Sequence, residues 1–178
     1  RILVTGNTVV DALQHVLALP PPVDLEALGA PLPAEARVVL VTSHRRENWD
    51  GPLREICGAF TDLVAEFPDV HVVYPVHLNP NVRRTVLAAL GGAPRIHLLE
   101  PVDYLTLVHL MRRAHLILTD SGGIQEEAPT LGKPVLVLRR VTERPEACEA
   151  GVAKDVATAR SAIATEARLL LQEEAAYA

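Results

Sequence analysis

A glycine-rich turn between an apolar run and a helical segment contains the residue types that could do chemistry. Residues 119–134 read Thr-Asp-Ser-Gly-Gly-Ile-Gln-Glu-Glu-Ala-Pro-Thr-Leu-Gly-Lys-Pro and overlap the strand-like run 115–119. At such a turn several backbone N–H groups and the positive end of the helix dipole face one point, which suits a phosphate. Glu127 follows Gly123 by one helical turn, so its carboxylate could accept bonds from the hydroxyls of an attached sugar. The combination predicts a nucleotide site.

The same motif is compatible with a purely structural turn. Ser-Gly-Gly commonly joins a strand to a helix, and a single glutamate on a helix is usually solvated, so the glycine pattern alone does not separate the two interpretations. The polar segments that follow the other strand-like runs have to decide between them.

Three more polar segments follow strand-like runs. They are 43–48 (Ser-His-Arg-Arg-Glu-Asn), 75–79 (Pro-Val-His-Leu-Asn) and 139–146 (Arg-Arg-Val-Thr-Glu-Arg-Pro-Glu). Ligands of open parallel sheets bind beyond the carboxyl ends of the strands, so all of these segments are expected at one edge. His44 and Arg144 carry the donors that a diphosphate needs, and the proline after Arg144 keeps that arginine out of a helical conformation.

Each of these segments also has a plainer interpretation. Loop arginines and glutamates can form compensating surface pairs that contribute little. The 43–48 segment can be a solvated charged loop, and His77 can be a structural histidine bonded to the backbone. The coincidence of four such segments at one sheet edge favours a binding site.

Five apolar, β-branched runs alternate with segments of helical apolar spacing. The runs are 38–42, 70–74, 96–99, 116–119 and 135–138. Strands buried on both faces are continuous apolar runs, and the helices between them supply right-handed crossovers. We therefore predict an α/β fold with a Rossmann-like, doubly wound parallel sheet.

Capping residues and apolar spacing predict the helices. One helix begins at Asn79 and Pro80, and glycines 91–92 end it. Its inward stripe is predicted to be Val82, Val86, Leu87 and Leu90. Asp103 begins another helix that runs to about Arg113.

The chain is predicted to have two parts. Residues 1–35 contain a short helix at 8–19 and a proline-rich stretch from residue 20, which is typical of a stiff connector between domains. Residues 36–178 are predicted to form the Rossmann-like domain. It ends with a helix at about 158–172, which we expect to pack on the sheet edge or on a neighbouring domain.

Composition narrows the functional classes. A chain of 178 residues that is 49% hydrophobic suffices for one substantial core, and its formal charge of -5 disfavours nucleic acid as a partner. Cys57 and Cys148 lack metal-ligand spacing, so we expect neither a metal site nor a disulfide framework, and we expect a cytoplasmic location. No apolar run reaches membrane-spanning length, which disfavours a membrane, and a start at Arg1 without methionine suggests a fragment.

Four segments together resemble the non-hydrolysing UDP-N-acetylglucosamine 2-epimerases. They are 42–48 (Thr-Ser-His-Arg-Arg-Glu-Asn), 74–82 (Tyr-Pro-Val-His-Leu-Asn-Pro-Asn-Val), 120–129 (Asp-Ser-Gly-Gly-Ile-Gln-Glu-Glu-Ala-Pro) and 142–146 (Thr-Glu-Arg-Pro-Glu). Residues 4–8 (Val-Thr-Gly-Asn-Thr) are similar to the segment that leads from the first domain of those enzymes into the second. The resemblance runs through most of the chain.

The resemblance implies the C-terminal half of a glycosyltransferase-B-type fold, with substrate between two Rossmann-like domains. The positions that match UDP-binding residues are Ser121, Gly122 and Gly123 at the phosphates, Glu127 at the ribose, and His44 and Arg144 lining the diphosphate cleft. His44 is also implied to support catalysis. Arg45 and His77 match positions that hold a second UDP-N-acetylglucosamine as an allosteric activator. No cofactor is implied, and relatives are commonly homodimers.

The family reaction inverts carbon 2 of UDP-N-acetylglucosamine to give UDP-N-acetylmannosamine, by eliminating UDP to leave a glycal and adding it back. In those enzymes the proton-transferring carboxylates belong to the N-terminal domain, so we expect this chain alone to bind UDP without turnover. Three features depart from the family pattern. The resemblance implies a glycine-rich C-terminal segment and a last helix that we expect to be absent from this chain, which stops at Ala178. Residues 157–159, Ala-Thr-Ala, stand where relatives tend to have a glycine-containing turn, and Val102 and Leu107 differ from residues near the uracil in some relatives.

Two other functions stay open at this point. A glycosyltransferase of the same architecture also holds a sugar nucleotide through a glycine-rich loop and a helix carboxylate, although the segment 43–48 argues against it. A non-catalytic UDP-sugar sensor or interaction domain is the other alternative.

Overall fold

A parallel sheet organises the protein. The computed structural model describes residues 2–3, 6–21 and 29–177. Within them the strands are β1 (Arg37–Thr42), β2 (Val70–Pro75), β3 (Ile96–Leu99), β4 (Leu116–Thr119), β5 (Val135–Val137) and β6 (Ala153–Asp155). These six strands form one sheet in the order β3-β2-β1-β4-β5-β6, and all neighbours are parallel.

Helices connect the strands. They are α1 (Thr8–Leu17), α2 (Gly51–Glu66), α3 (Pro80–Leu90), α4 (Tyr104–Arg113), α5 (Gly122–Glu127), α6 (Pro145–Glu149), α7 (Arg160–Gln172) and α8 (Glu174–Tyr177). Short 3-10 turns occupy Arg46–Asn48 and Ala128–Leu131. Among the described residues, every helix is too short or too polar to traverse a lipid bilayer.

Successive side chains of β1 pack into different layers. Val39 and Val41 are fully buried in a cluster with α2, α3 and α7. Val38 and Leu40 are fully buried in the opposite cluster, with α1, α4 and α5. Burying one such side chain contributes about 1.5 to 3 kcal/mol, so both layers stabilise the sheet. The predicted doubly wound α/β fold is confirmed.

The winding of the sheet reverses between β1 and β4. The chain moves outward from β1 to β3 and then returns to place β4 on the other side of β1. Thr42 and Thr119 end these two strands in register, and their hydroxyl oxygens are 2.6 Å apart. Loops that leave such a switch point diverge and open a crevice beyond the strand ends. The polar segments after β1 and β4 therefore flank the expected ligand position.

All five predicted strands are confirmed, and one further strand was missed. The five predicted runs coincide with β1 to β5 to within one residue at each end. The strand β6 was missed because it has only three residues, of which Lys154 and Asp155 are exposed at the sheet edge. Its sequence lacks the continuous apolar run by which buried strands are recognised.

The helix predictions need three corrections. The first helix ends at Leu17 rather than residue 19, and Leu87 of α3 is 47% exposed rather than part of the inward stripe. The last predicted helix begins at Arg160 and packs against α2 on one face of the sheet, not at its edge. Ile163 and Leu171 join the core cluster there, which explains that position.

The helix α1 packs into the hydrophobic core on one face of the sheet. Leu13 is fully buried in the cluster that contains α4 and α5. The assignment of residues 1–35 to an interdomain connector stays a prediction. Val4 and Thr5 of the proposed interdomain motif, and residues 22–28 of the proline-rich stretch, lie outside the described residues.

Candidate functional site

A buried carboxylate after β4 holds the loop that follows β1. Asp120 is fully buried. It accepts hydrogen bonds at 2.9 Å from the hydroxyl of Ser43, the backbone N–H groups of His44 and Arg45, and the side-chain amide of Asn48. Four donors converge on this one carboxylate, so it fixes the conformation of the loop.

Neighbouring side chains fix the same loop from behind. The Tyr74 hydroxyl donates to the Ser43 carbonyl at 2.6 Å, and burial raises the pKa of Tyr74 well above its usual value. The Asn48 amide also donates to the Leu138 carbonyl at 3.0 Å, which ties the loop to the end of β5. The backbone of His44 is thereby held at the mouth of the crevice.

The start of α5 presents backbone amides that have no acceptor within the helix. Ser121 is extended, with φ -86° and ψ 128°, and its N–H donates to the Thr119 hydroxyl at 2.9 Å. The next amides, from residue 122 to residue 124, open the helix, where i−4 acceptors do not exist. They carry the positive end of the helix dipole, so an anion is stabilised there.

The glycines of this turn are not required by packing within the described chain. A Cβ atom added at Gly122 would lie 3.8 Å from an Arg45 nitrogen and from a Glu143 oxygen, and one added at Gly123 would lie 3.9 Å from the Ser121 hydroxyl. These are ordinary contacts. Close approach of a ligand to the backbone is what glycine permits at these positions.

The crevice beside this turn is lined by residues from several loops, including Ser43, His44, His77, Val102 and Ser121. The imidazole rings of His44 and His77 stack with centroids 5.1 Å apart and an interplanar angle of 10°. His77 Nδ1 accepts a hydrogen bond from a backbone N–H two residues later, at 3.1 Å. Both the predicted catalytic histidine and the predicted effector histidine therefore line one crevice with the glycine turn.

Glu127 lies one turn along α5 from Gly123, as predicted, and is 5% exposed. The hydroxyl of Tyr104 donates to its carboxylate at 2.7 Å. Burial raises the pKa of Glu127, and burial together with this bond raises the pKa of Tyr104 to about 12. Glu127 is thus a desolvated acceptor next to a neutral phenol.

Alternating charges connect the loop after β1 with the loop after β5. Arg139 is 7% exposed, and its guanidinium contacts Glu47 at 2.8 Å and Glu143 at 3.3 Å. Glu143 also contacts Arg45 at 3.5 Å, and the Arg45 Nε donates to the Asp120 carbonyl at 3.2 Å. Arg139 and then Arg45 lower the pKa of Glu143. The network keeps the two loops together above the sheet.

Arg144 forms a side-chain hydrogen bond with α5 and does not line the crevice. Its Nε donates to Glu126, and its backbone N–H donates to the Thr142 hydroxyl at 3.0 Å. The Thr142 hydroxyl in turn donates to Gln125 on α5 at 2.5 Å. Arg144 has φ -132° and ψ 66°, so it is outside the helical region, as the following proline predicts.

The structure thus brings most of the predicted site residues to one sheet edge. His44, His77 and Ser121 line the crevice, Gly122 and Gly123 start α5, Glu127 follows on that helix, and Arg45 lies next to Gly122. Arg144 lies beside the same helix but does not line the crevice between His44 and Ser121.

Sequence reasoning missed several residues that build this site. They are Asn48, Tyr104, Asp120 as an anchor, and Glu126. A signal existed for Asp120, since it directly follows a buried strand at the predicted sheet edge. Within the described residues, no group of three or more His, Cys, Asp or Glu side chains is arranged to hold a metal ion.

The family model for UDP-N-acetylglucosamine 2-epimerase matches residues 1–178. The chain belongs to the UDP-N-acetylglucosamine 2-epimerase family. The UDP-N-acetylglucosamine 2-epimerase of Yersinia pestis is 50% identical over 185 residues, a match that covers 99% of this chain and 48% of that protein. The chain therefore spans about half the length of such curated relatives, and the resemblance stated from the sequence is confirmed.

Solved structures of the epimerase family have the same fold. The enzyme from Neisseria meningitidis bound to UDP-GlcNAc superimposes with a TM-score of 0.88 at 41% identity, covering 98% of this chain and 48% of that one. Trehalose-6-phosphate synthase OtsA has a TM-score of 0.71 at 14% identity, covering 94% and 42%, which shows a shared fold alone. The chain has the Rossmann-like fold of one half of a glycosyltransferase-B-type architecture.

Proposed function

We propose that the intact protein interconverts UDP-N-acetylglucosamine and UDP-N-acetylmannosamine, and that this chain, as its C-terminal half, binds the UDP. The observation that carries the proposal is the meeting of His44 and the start of α5 in one crevice, with Asp120 fixing the His44 loop. The complex of the Neisseria meningitidis relative with UDP-GlcNAc supports the choice of ligand.

The start of α5 is proposed to hold the diphosphate. The amides of Gly122 and Gly123 and the hydroxyl of Ser121 would donate to its oxygens, and the ribose hydroxyls would donate to the Glu127 carboxylate. A desolvated carboxylate forms strong hydrogen bonds with hydroxyl groups, and Glu127 is such a carboxylate. His44 would donate to the phosphate nearer the sugar.

The proposed reaction begins with elimination of UDP. The proton on carbon 2 leaves to a base, the bond between carbon 1 and the phosphate oxygen breaks, and UDP departs with the bonding electron pair. Negative charge grows on the departing oxygen, and the preorganised amides and His44 would stabilise that charge. Arg144 lies outside the crevice, beside α5, and is proposed to contact the diphosphate from there. Addition of UDP to the resulting glycal, with a proton returned to the other face of carbon 2, completes the inversion.

A second UDP-N-acetylglucosamine is proposed to bind near Arg45 and His77 as an activator. The stacking of His77 on His44 supports this proposal, because a ligand that moves one ring displaces the other. The intact protein carrying His77→Ala should lose sigmoidal kinetics while it retains UDP binding. Hyperbolic kinetics in the unmodified protein would contradict the activator site.

Deuterium exchange separates an epimerase from its rivals. The intact protein is incubated with UDP-N-acetylglucosamine in deuterated buffer without an acceptor, and the carbon 2 proton is followed by NMR. Exchange together with formation of the manno epimer is expected. A glycosyltransferase or a non-catalytic UDP-sugar sensor would leave that proton in place, so the absence of exchange would overturn the proposal.

An assembly and a location are also proposed for the intact protein. We expect a homodimer in the cytoplasm, with no nucleic acid or membrane as a partner and no cofactor. Light scattering on the purified intact protein measures the oligomeric state, and a monomer at micromolar concentration would contradict the dimer.

A further inference from the structure

Glu126 connects two segments that are far apart in the sequence. One oxygen of its carboxylate accepts a hydrogen bond from Arg144 Nε, and the other accepts one from the Asn7 side-chain amide at 2.5 Å. The oxygen of the same Asn7 side chain caps α1, since it accepts a hydrogen bond from the Val9 N–H at 3.1 Å. The start of α1, the middle of α5 and the loop after β5 are therefore joined at one carboxylate.

The bonds of Arg144 leave one side of its guanidinium available. Nε is bonded to Glu126, and Nη1 donates to the Glu143 carbonyl at 2.9 Å. Within the described part of the chain, Nη2 has no hydrogen-bond partner. A guanidinium held through Nε and Nη1 in this way can offer its remaining N–H groups to an anion without first losing rotational freedom.

The same contacts favour the charged forms of both Glu126 and Arg144. Arg144 first, and then Asn7, lower the pKa of Glu126, while Glu126 raises the pKa of Arg144. The Arg144 side chain is 42% exposed and that of Glu126 is 25% exposed. A long side chain with this exposure would lose considerable rotamer entropy on binding a ligand if no neighbour fixed it.

We infer that Glu126 is a positioning residue, which holds Arg144 ready for the diphosphate and is itself oriented by Asn7. The inference rests on the proposed function, because it requires Arg144 to contact UDP. The affinity for the nucleotide then depends on Asn7, the N-cap residue of α1, through Glu126 and Arg144. Glu126 acts through Arg144 and is not a catalytic residue.

The test is a double-mutant cycle in the intact protein, with UDP affinity measured by calorimetry. Glu126→Ala should weaken UDP binding about tenfold, the effect of losing about 1.4 kcal/mol of preorganisation. Glu126→Gln keeps an acceptor for Arg144 Nε and should restore affinity to within about threefold of the unmodified protein. In the Arg144→Ala background, Glu126→Ala should change the affinity less than about twofold, because the residue through which it acts is gone.

Two further variants test whether weaker UDP binding has another cause. Asn7→Ser keeps a helix cap but removes the amide bond to Glu126, and it should weaken UDP binding by about threefold only when Arg144 is present. Glu149→Ala removes an exposed carboxylate of α6 that does not bond to Arg144 in the described structure, and it should leave the affinity unchanged.

The outcomes separate the inference from the proposed function. If the unmodified protein does not bind UDP, the proposed function fails. If Arg144→Ala weakens UDP binding but Glu126→Ala does not, or if the two effects add, the inference fails while the UDP site stands. If Glu126→Ala does not fold, the Asn7→Ser cycle decides in the same way.

Discussion

Asp120 shows how much of the site depends on one side chain. It contacts no ligand in our proposal, yet its carboxylate accepts bonds from Ser43, His44, Arg45 and Asn48. A fully buried group with four donors around it leaves those donors unsatisfied when it is removed. The conformation of the crevice therefore depends on a residue that sequence motifs alone assign only to a turn.

We predict that Asp120→Ala lowers the free energy of unfolding by about 3 kcal/mol, because buried donors lose their acceptor. The same variant should abolish measurable UDP binding, since the His44 loop is no longer fixed. Urea denaturation and calorimetry measure the two effects. Asp11→Ala, which removes an exposed carboxylate on α1, should change the unfolding free energy by less than about 0.5 kcal/mol. Equal effects of the two substitutions would contradict the anchoring role.

A second prediction at the scale of residues concerns how Glu127 affects stability as the pH changes. Burial of Glu127 stabilises its neutral carboxyl group. A pKa raised above the unfolded value of 4.5 means that ionised Glu127 costs stability at neutral pH, and that this cost vanishes below the unfolded pKa. Glu127→Gln should therefore raise the melting temperature at pH 7.5, and the difference should shrink as the pH falls towards 4.5.

The same Glu127→Gln protein should bind UDP about tenfold more weakly, because a charged acceptor for the ribose becomes a neutral one. Thermal scans across pH and calorimetry measure the two changes. Glu149→Gln, at an exposed position on α6, serves as the control and should change neither quantity. A variant that is less stable at neutral pH, with unchanged UDP affinity, would contradict the proposed role.

At the scale of elements, the hydrophobic pattern predicted the strands that are buried on both faces of the sheet. The runs of β1 to β5 were recognisable because most side chains of these strands are apolar. The edge strand β6 was not recognisable, because two of its three side chains are polar and exposed. Leu87 fits the apolar spacing of α3 but is exposed, so spacing alone placed it wrongly. The contacts that shape the site join Asp120 to His44 and Glu126 to Arg144 across loops, and local spacing contains no information about such pairs.

The turn between β6 and α7 gives a prediction at this scale. Ala157 has φ 55°, in the left-handed region that is costly for a residue with a Cβ atom. The family resemblance led us to expect a glycine-containing turn at this place, and glycine adopts this conformation without the steric cost. Ala157→Gly should stabilise the protein by about 0.5 to 1 kcal/mol after the entropy of the unfolded chain is subtracted.

Ala164, inside α7, provides the control for this turn. A helical residue gains nothing from the access of glycine to the left-handed region, so Ala164→Gly should destabilise the protein by about 1 kcal/mol. Urea denaturation of both variants measures the difference. Stabilisation by both substitutions, or by neither, would contradict the strain at residue 157.

At the scale of the whole molecule, the carboxylates near the crevice are already engaged. Asp120 accepts four hydrogen bonds, Glu126 is paired with Arg144, and Glu127 is bonded to Tyr104. Arginines lower the pKa of Glu126 and the pKa of Glu143, which makes both poor bases. Removal of the carbon 2 proton needs a positioned base, and each of these carboxylates in the described part of the chain already has a partner, so we expect the base to come from another part of the intact protein.

We therefore predict that residues 1–178, expressed alone, bind UDP but exchange the carbon 2 proton of UDP-N-acetylglucosamine about 10²- to 10⁴-fold more slowly than the intact protein, the usual contribution of a general base. The two packed faces of the sheet provide a core for independent folding, which a cooperative melting transition would verify. Calorimetry and NMR in deuterated buffer measure binding and exchange on the same samples. Exchange by this chain at the rate of the intact protein would place the base among its own residues, and Glu127 would then be the first candidate, because burial raises its pKa and makes it a stronger base than a solvated carboxylate.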